Sequence, residues 1–352
     1  MRGFNYFRQF YSGKRVFITG HTGFVGAWMT FLLSKIGAEI TGYSLNPPSK
    51  PYLYNMLEFN GGVKNIKGDI RNFSKLKNEI NNADPEIIIH LAAQPILLES
   101  YNIPRETYET NVMGTINVLE SALGSNVKSI VNVTSDKCYE NKLQKKGYIE
   151  GDALGGYDPY SSSKACSEIV TRAYSNSFLS KRRIGVSTAR AGNIIGGGDW
   201  GIKRLMPYLI TSLLHNREFK IRNPNAIRPW QYIIDVICGY LMLAERLYVN
   251  PHKYSGAYNF GPPLESKITV KTLATKVCDS FDKTAKIKEV KMGMHEDQVL
   301  MLNSRKAQSM LGWKPKIHID NAIKLTVDWY RKYYDGYDIN AYSNELVCNY
   351  FR

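Results

Sequence analysis

Apolar runs alternate with amphipathic stretches along the first 190 residues of the chain. Short runs rich in β-branched residues predict strands, and stretches with apolar positions three and four apart predict helices between them. The predicted strands cover residues 15–19, 39–44, 63–69, 86–91, 129–134 and 185–189, and the predicted helices cover 24–36, 74–82, 107–123 and 161–178. This alternation predicts an α/β fold built on a Rossmann-type, doubly wound parallel sheet.

The regular alternation of predicted strands and helices ends after Arg190. A glycine-rich loop at 196–200 precedes predicted helices at 205–215, 233–248, 270–281, 304–310 and 320–334, and prolines interrupt the connections. We therefore expect two units. Residues 1–190 form the first domain, and residues 191–352 form mainly a smaller, mixed C-terminal lobe, some of whose elements return to the first domain.

Composition narrows the class of protein. With 352 residues and 43% hydrophobic content, the chain is typical of a globular protein. No apolar run approaches the ~20 residues of a membrane span, so we expect a cytoplasmic protein without membrane contact. The five cysteines are scattered and lack metal-site spacing, so no metal is expected.

The formal net charge of +15 raises the question of a nucleic-acid partner. Basic residues are spread along the whole chain, and no nucleic-acid motif accompanies them. We therefore expect no nucleic acid as partner, and an anionic small substrate fits the same charge.

A glycine-rich turn lies where the first predicted strand meets the first predicted helix. Backbone amides and the helix dipole at such a turn can hold a pyrophosphate, although a tight structural turn explains the same glycines. Asp69, at the end of the third strand and followed by Ile70, could cap an adenine; the alternative is an ordinary exposed loop aspartate. The residues of the turn are Gly20, His21, Thr22, Gly23, Phe24, Val25 and Gly26.

The second predicted strand ends without the acidic residue that usually binds the adenine ribose. It reads Gly42-Tyr-Ser-Leu-Asn46, and the nearest base that could hold a 2′-phosphate is Lys50. NAD is favoured over NADP, and the ribose contacts stay open.

Tyr160 and Lys164 are four residues apart on a predicted helix and therefore share a face. A lysine ammonium beside a phenol favours the phenolate, which can act as a base. Ser135 ends a predicted strand, and its hydroxyl could hydrogen-bond a substrate oxygen; a lone Ser-Asp pair is otherwise a turn or a helix cap. The glycine turn, Ser135 and the Tyr-x-x-x-Lys spacing together indicate a hydride-transfer enzyme.

Six motifs between residues 14 and 315 resemble the extended short-chain dehydrogenase/reductase family, and most closely its CDP-glucose 4,6-dehydratase group. They are His90-Leu-Ala-Ala-Gln-Pro95, Thr110-Asn-Val-Met-Gly-Thr115, Thr134-Ser-Asp-Lys-Cys-Tyr139, Gly155-Gly-Tyr-Asp-Pro-Tyr160, Arg190-Ala-Gly-Asn-Ile-Ile-Gly-Gly-Gly-Asp-Trp200 and Ile227-Arg-Pro-Trp-Gln231. The resemblance implies that residues 1–190 bind the dinucleotide and that residues 191–352 bind a nucleotide sugar.

The resemblance also implies an oxidation coupled to an elimination. Tyr160, with Lys164 and Ser135, would take the proton of the sugar 4-hydroxyl while NAD+ is reduced. Asp136, as a neutral acid, would protonate the departing 6-hydroxyl after C5 loses its proton, and C6 is then reduced.

The role of Lys137 is left open by the sequence. dTDP-glucose dehydratases carry a glutamate at this place, which can serve as the C5 base. Lys137 would act as that base if neutral; alternatively it stays charged and stabilises the enolate, and another group or Tyr160 moves the proton.

The remaining binding residues are implied by the same resemblance. Residues 96–100 lack an arginine that relatives commonly carry beside the sugar. For the candidate arginines of this chain, the alternative to a binding role is an ordinary solvated side chain near a loop. Further cofactor residues are Leu91, Ala92, Ala93, Asn111 and Thr134, besides Tyr160 and Lys164. Candidate substrate residues are Gln94, Ser135, Asn193, Arg204, Arg222 and Arg228.

Two helices bear on the assembly of the chain. Periodicity alone assigns the apolar faces of the helices at 107–123 and 161–178 to the core. The resemblance implies instead a homodimer through a four-helix bundle, with a tetramer as a further possibility. The N-terminal aromatic segment predicts either an arm that docks on a neighbouring subunit or a frayed terminus.

Other readings of the chain are a 4-epimerase or another nucleotide-sugar 4,6-dehydratase, a non-catalytic dinucleotide sensor, and a basic RNA-binding relative. An epimerase needs the serine, tyrosine and lysine but no acid for a leaving hydroxyl, and a sensor would be expected to lose Tyr160 or Lys164. A 4-keto-6-deoxy sugar product would place the enzyme in deoxysugar and surface-polysaccharide biosynthesis.

Overall fold

The computed structural model describes residues 3–47, 50–144, 146–201, 203–263, 266–281, 287–290 and 299–352. Its strands are β1 (Arg15–Thr19), β2 (Glu39–Ser44), β3 (Val63–Lys67), β4 (Ile87–His90), β5 (Ser129–Val133), β6 (Gly185–Ala191), β7 (Ile194–Ile195), β8 (Phe219–Ile221), β9 (Ile227–Arg228), β10 (Gln231–Tyr232), β11 (Gly256–Phe260), β12 (Ile268–Thr269) and β13 (Ile287–Glu289).

The α-helices alternate with these strands in the first half of the chain and dominate the second half. They are α1 (Phe4–Tyr11), α2 (Phe24–Lys35), α3 (Phe73–Ala83), α4 (Leu97–Ser100), α5 (Pro104–Tyr108), α6 (Gly114–Ala122), α7 (Pro159–Tyr174), α8 (Leu205–Leu214), α9 (Ile233–Val249), α10 (Pro251–Tyr254), α11 (Val270–Ser280), α12 (Arg305–Leu311), α13 (Ile319–Tyr334) and α14 (Ile339–Phe351).

The central sheet of the described residues has seven parallel strands in the order β11-β6-β5-β4-β1-β2-β3. The predicted doubly wound fold is thereby confirmed, because the strand order reverses beside β1 and helices cover both faces. Strand β11 comes from the second half of the chain and pairs with β6. The carboxyl ends of β1, β4, β5 and β6 meet at one edge, where a ligand site is expected in such a fold.

Two apolar clusters sandwich the sheet. The larger one packs α2, α9, α13 and α14 on one face, and the smaller one packs α3 and α6 on the other. Burial of each large apolar side chain contributes roughly 1.5–3 kcal/mol, so these layers hold the strand ends in fixed positions. The boundary of the two units near residue 190 stays a prediction.

The two long helices near the site differ in detail from the predicted ranges. The segment predicted as one helix at 107–123 consists of α5, a π-helical turn (Glu109–Met113) and α6. Helix α7 begins at Pro159 rather than at 161, because the Asp158 side chain accepts a hydrogen bond from the Ser161 amide. Tyr160 therefore lies in the first turn of α7.

The N-terminal segment is a helix that packs on its own chain, which corrects both predictions for it. Phe7 and Tyr11 of α1 are fully buried, and the Tyr11 hydroxyl donates to the Leu241 carbonyl of α9 over 2.7 Å. Phe4 and Phe7 pack edge-on against Phe351 of α14. The apolar periodicity of α1 is short, and its partner helices are distant in sequence, which is why the pattern did not reveal this contact.

Among the helices of the described ranges, none combines the length and hydropathy needed to cross a bilayer. Within those same ranges, no group of three or more His, Cys, Asp or Glu side chains is arranged to hold a metal ion.

Candidate active site

The glycine turn joins β1 to α2 with a very close approach of backbone segments. Gly20 has φ +76°, and a Cβ there would lie 2.7 Å from the Ala92 amide nitrogen, beside the end of β4. A Cβ on Gly26 would lie 2.1 Å from the Gly20 carbonyl oxygen. Among the described residues, no side chain caps α2, whose N-cap is Gly23. Free amides at this helix N-terminus therefore suit a pyrophosphate, and the turn fits a dinucleotide.

His21 and Thr22 direct their side chains away from that backbone cradle. The His21 ring lies against Gly42, where a Cβ would be 2.3 Å from the ring, and its Nε2 is 2.9 Å from the Asn65 side-chain oxygen. Burial lowers the pKa of His21 to about 4, so the ring is neutral at pH 7. The Thr22 hydroxyl is 2.8 Å from the Ser44 hydroxyl. Both side chains tie the turn to β2 and β3.

Phe24 and Val25 open helix α2 and are partly buried against the larger apolar cluster. Their side chains anchor the helix start, so the backbone of the turn is the part that faces the strand ends. Contacts of these two residues with a cofactor stay a prediction.

Asp69 follows β3 and is held by Arg71. The Arg71 guanidinium donates to both carboxylate oxygens, from Nε to Oδ1 over 3.1 Å and from Nη2 to Oδ2 over 2.6 Å, and these bonds hold the pKa of Asp69 below its ordinary value. Ile70 is buried against Gly114, where a Cβ would lie 2.4 Å from the Ile70 Cδ1 atom. An adenine contact by Asp69 or Ile70 stays a prediction.

The segment after β4 is bound tightly to the end of β1. The amides of Leu91 and Ala92 each donate to the Thr19 hydroxyl over 3.2 Å. Thr19 and His90 share a hydrogen bond of 2.6 Å, and burial lowers the pKa of His90 to about 3. Ala93 follows in the same loop and is partly buried. These contacts bring the loop alongside Gly20.

Gln94 and Asn111 hold this loop to the helices. The Gln94 backbone amide donates to the Asn111 side-chain oxygen over 2.8 Å. The Gln94 side chain donates to the Thr107 hydroxyl over 3.0 Å and accepts from the Ile96 backbone amide. Asn111 donates to the Ser163 hydroxyl of α7 over 2.8 Å. Both amide side chains therefore serve the packing of the loop, and a sugar contact by Gln94 stays a prediction.

Ser135, Asp136 and Tyr160 come together at the carboxyl end of β5. Ser135 caps a 3₁₀ turn (Asp136–Cys138) by accepting from the Lys137 amide over 3.2 Å, and its hydroxyl donates to Asp136 Oδ1 over 3.0 Å. Asp136 is buried, and Lys137 is partly exposed. The Tyr160 hydroxyl is hydrogen-bonded to Ser135.

Electrostatics at Tyr160 are set mainly by burial. Burial raises the pKa of Tyr160 to about 12; the Ser135 hydrogen bond lowers it, the Asp136 charge raises it and Arg204 lowers it. Arg204 is thus a cation that acts directly on the phenol, and it forms an ion pair of 3.0 Å with Asp199. The sequence assigned that electrostatic effect to Lys164.

Lys164 lies one helical turn further along α7. Its side chain is buried, and its ammonium donates to the Val133 carbonyl of β5 over 3.3 Å. Burial lowers the pKa of Lys164 to about 8, and the Glu168 charge opposes that shift. Thr134, between Val133 and Ser135, donates its hydroxyl to Glu168.

The other substrate candidates lie in the C-terminal lobe. Asn193 is partly buried, and its carbonyl accepts from the Gln231 amide over 2.9 Å. Arg228 on β9 is buried and lines a small cleft with Pro262 and Leu302. Arg222 follows β8, which pairs with β13 rather than with the central sheet. Arg204, at the N-cap of α8, is the candidate arginine whose charge reaches Tyr160.

Sequence reasoning gave no role to Glu168, Arg190, Asp158 or Asp199. Glu168 follows Lys164 by one helical turn, so the spacing of Tyr160, Lys164 and Glu168 on one face was a usable signal. The partner of Glu168 is Arg190 on β6, and a contact between a helix and a strand is not visible in periodicity.

Comparisons with known proteins show the family of the chain. The sequence profile of the GDP-mannose 4,6 dehydratase family matches residues 17–326. The chain therefore belongs to this family, a group of nucleotide-sugar dehydratases and epimerases of the short-chain dehydrogenase/reductase type. The resemblance to that type of enzyme, inferred from the six motifs, is confirmed.

Two relatives show how far the similarity extends. The chain is 41% identical over 350 residues to CDP-glucose 4,6-dehydratase from Salmonella typhimurium, covering 97% of this chain and 98% of the relative. It is 28% identical over 341 residues to dTDP-D-glucose 4,6-dehydratase from Mus musculus, covering 91% and 89%.

Solved structures share the fold. The epimerase Mth375 from Methanothermobacter thermautotrophicus superposes with a TM-score of 0.84 at 22% identity, covering 94% of this chain and 96% of that one. DesIV, a dTDP-glucose 4,6-dehydratase from Streptomyces venezuelae solved with NAD, superposes with a TM-score of 0.80 at 24% identity, covering 92% and 98%.

Proposed function

We propose that the chain is a CDP-glucose 4,6-dehydratase, an NAD-dependent hydro-lyase that converts CDP-D-glucose to CDP-4-dehydro-6-deoxy-D-glucose and water. The observation that carries this proposal is the 41% identity, along nearly the whole chain, to an enzyme of that name. The cluster of Ser135, Asp136 and Tyr160 supports it, because a base and an acid at one strand end are what the reaction requires.

The backbone of the glycine turn, from Gly20 to Gly26, would hold NAD, together with the loop after β4 that lies beside it. Bound there, NAD+ supplies a two-electron acceptor that the same turnover regenerates, so no second redox partner is needed. The close backbone approach at Gly20 and the uncapped start of α2 support this placement.

Proton transfers fall to the residues at the end of β5 and the start of α7. Tyr160 takes the proton of the sugar 4-hydroxyl, and Ser135 orients that oxygen through the hydrogen bond it shares with Tyr160. The buried ammonium of Lys164 stabilises the phenolate that Tyr160 needs. Oxidation at C4 acidifies the C5–H bond of the sugar.

Elimination is assigned to Asp136 and Lys137. Asp136 donates a proton to the departing 6-hydroxyl, which leaves as water, and the C5 proton moves to a base. Lys137 either is that base in its neutral form or, when charged, stabilises the enolate. A buried carboxyl group beside Ser135 suits the role of the acid, because a dry site favours the neutral form.

The arginines of the C-terminal lobe would hold the substrate. Arg228 is assigned to the diphosphate by charge-assisted hydrogen bonds, with Arg204 and Arg222 as further candidates and Asn193 near a sugar or phosphate oxygen. Gln94 is assigned to the sugar. Because Arg204 already pairs with Asp199, its charge is partly compensated in this structure.

The protein is further proposed to act as a homodimer through α5, α6 and α7, with a tetramer as an extension. Large apolar side chains are exposed on these helices and on the adjoining π-helical turns (Glu109–Met113 and Ser175–Leu179), namely Tyr108, Met113, Ile169 and Phe178. Such a group of exposed apolar side chains is typical of an interface. A cytoplasmic location and a place in deoxysugar and surface-polysaccharide biosynthesis stay predictions.

The test is incubation of the purified protein with CDP-glucose and catalytic NAD+, followed by mass spectrometry for water loss and by the alkali-induced absorbance of a 4-keto-6-deoxy sugar. We expect product with the native protein and none with Tyr160→Phe. Dehydration of another nucleotide sugar but not of CDP-glucose would overturn the substrate assignment. Inversion at C4 without water loss would establish the alternative, a 4-epimerase.

A further inference from the structure

A buried ion pair lies directly behind the proposed catalytic residues. Glu168 of α7 and Arg190 of β6 are joined by a contact of 2.7 Å between Oε2 and Nη2, and each side chain is only 3% exposed. A buried pair of this kind is screened little by solvent, so its charges act strongly on neighbouring groups.

Glu168 connects helix α7, the catalytic helix that carries Tyr160, to the end of strand β5 and to strand β6. Its Oε1 atom accepts from the Thr134 hydroxyl, and its Oε2 atom accepts from the Thr188 hydroxyl over 2.6 Å. Thr134 immediately precedes Ser135, and Glu168 shares a helix with Tyr160. The carboxylate therefore links the two segments that must meet for catalysis.

Arg190 holds Tyr139, at the far end of the segment that begins with Thr134. Its Nη1 atom donates to the Tyr139 hydroxyl over 2.6 Å and to the Glu150 carbonyl over 3.2 Å. Tyr139 in turn donates to the Asn259 side chain of β11 over 2.8 Å. Segment 134–139 is thus fixed at its first residue by Glu168 and at its last residue by Arg190, with Ser135, Asp136 and Lys137 between them.

The pair also balances charge around the proposed proton-transfer groups. Glu168 raises the pKa of Lys164 against the effect of burial. Several other titratable groups act on these residues. They are His90 and Cys138 toward Lys164, Asp136, Asp158, Arg204 and Tyr240 toward Tyr160, and Cys138, Tyr139, Glu150 and Lys306 toward Arg190.

We propose that Glu168 and Arg190 form a positioning pair for the active site, which clamps segment 134–139 against the catalytic helix and keeps the local charge near zero. Neither residue touches the reacting atoms. The kinetic part of this proposal rests on the proposed dehydratase function.

Two substitutions that remove opposite charges distinguish a positioning pair from a merely structural one. Glu168→Gln removes an anion and leaves Arg190 uncompensated, so Lys164 and Tyr160 should both titrate at lower pH. Arg190→Met removes the cation, so both should titrate at higher pH. We expect the alkaline break of kcat/KM to move by roughly one pH unit in these two opposite directions.

Glu168→Asp tests the clamp without changing the charge. Its shorter side chain cannot reach both Thr134 and Thr188, so we expect kcat to fall about tenfold with the pH break unchanged. The matched control is Glu86→Gln, which breaks the Lys14–Glu86 ion pair of 3.1 Å at the opposite edge of the sheet. That variant should leave both kcat and the pH break as in the native protein.

A second readout does not depend on activity. Titration of the Lys164 ammonium by nitrogen NMR of ¹⁵N-lysine protein, with the signal identified by its loss in Lys164→Met, should show the same opposite shifts. If the native protein fails to convert CDP-glucose, the proposed function falls, and these titrations still test the pair.

The double variant Glu168→Gln/Arg190→Met guards against misfolding of the single variants. It buries no unpaired charge, so it should fold, with a Lys164 titration and a pH break like those of the native protein and a reduced kcat. Shifts of the two single variants in the same direction, unshifted Lys164 titrations, or a double variant with native kcat would overturn the proposal.

Discussion

Gly26 lies so close to Gly20 that a Cβ at position 26 would stand 2.1 Å from the Gly20 carbonyl oxygen. The atom that would have to move is part of the backbone, so no side-chain rotation can relieve the clash. The turn between β1 and α2 can therefore keep its shape only with glycine at this position.

Gly26→Ala is expected to lower the free energy of unfolding by about 1–3 kcal/mol and to weaken NAD binding roughly tenfold or more, because the turn must open. Urea unfolding and calorimetric titration with NAD measure the two effects. Gly124→Ala is the control, since no described atom beyond its chain neighbours lies within 4 Å of a Cβ there. Native NAD affinity in Gly26→Ala would contradict the proposed cofactor site.

The pH dependence of kcat/KM follows from Tyr160 and Lys164. Tyr160 acts as phenolate, with a pKa of about 12, and Lys164 acts when charged, with a pKa of about 8. Below about pH 8 the phenolate fraction rises tenfold per pH unit while Lys164 stays charged. Above that pH the loss of the Lys164 charge offsets the further gain of phenolate.

We therefore expect kcat/KM to rise up to about pH 8 and then to level off. Steady-state rates from neutral to alkaline pH measure this profile. In Lys164→Arg, whose charge is permanent, the levelling should disappear, and the rate should continue to rise. A native rate that falls with rising pH across this range would show that Tyr160 is not the base.

The central strands could be predicted because their own apolar residues indicate that they are buried. The run Ile87–His90 is buried on both faces and consists of three isoleucines and one histidine, as expected of a strand in the middle of a parallel sheet. Strand β11 (Gly256–Phe260) contains glycine and asparagine, and the burial of Asn259 depends on partners at Tyr139 and Tyr148. No local pattern reports such distant partners.

The candidate site likewise contains residues that local sequence predicts and residues that only tertiary packing brings to it. Ser135, Asp136, Tyr160 and Lys164 were found because motifs and helical spacing place them together. Arg204, in the loop before α8, is a further cation whose charge lowers the pKa of Tyr160, and it forms an ion pair with Asp199. Loop geometry of this kind is set by tertiary packing, so the sequence alone left Arg204 as one of several solvated candidates.

Acid should destabilise the protein through His21 and His90. Burial lowers their pKa values to about 4 and about 3, from an ordinary value of 6.5. The unfolded chain therefore takes up protons at a higher pH than the folded one. The stability that these histidines contribute is fully present above pH 6.5 and is lost as the pH falls through about 4 for His21 and about 3 for His90.

At a pH of about 5, each of the two histidines should reduce the free energy of unfolding by roughly 2 kcal/mol relative to neutral pH. Urea unfolding at the two pH values measures the loss. His21→Asn should remove its share of the acid sensitivity, and His252→Asn, at an exposed position of α10, is the control. Equal acid sensitivity in His21→Asn and the native protein would count against this account.

Asp136→Asn should separate oxidation from elimination. The amide cannot donate a carboxyl proton to the leaving 6-hydroxyl, so water loss should slow about 10²- to 10⁴-fold, while proton removal at C5 continues. In D₂O, mass spectrometry should show deuterium entering C5 of the sugar faster than water is lost. Asp279→Asn on α11 is the control, and an unchanged rate of water loss in Asp136→Asn would assign the acid elsewhere.

A charge placed on α7 should disrupt the proposed dimer. Ile169 is 47% exposed on this helix, in the group with Tyr108, Met113 and Phe178. Burying a glutamate in an interface without a partner is costly, so Ile169→Glu should halve the mass measured by light scattering at micromolar concentration. Val249→Glu, at a 65% exposed site at the end of α9, should not change the mass. A native protein that is already monomeric would refute the dimer, and a native mass in Ile169→Glu would place its interface on another face.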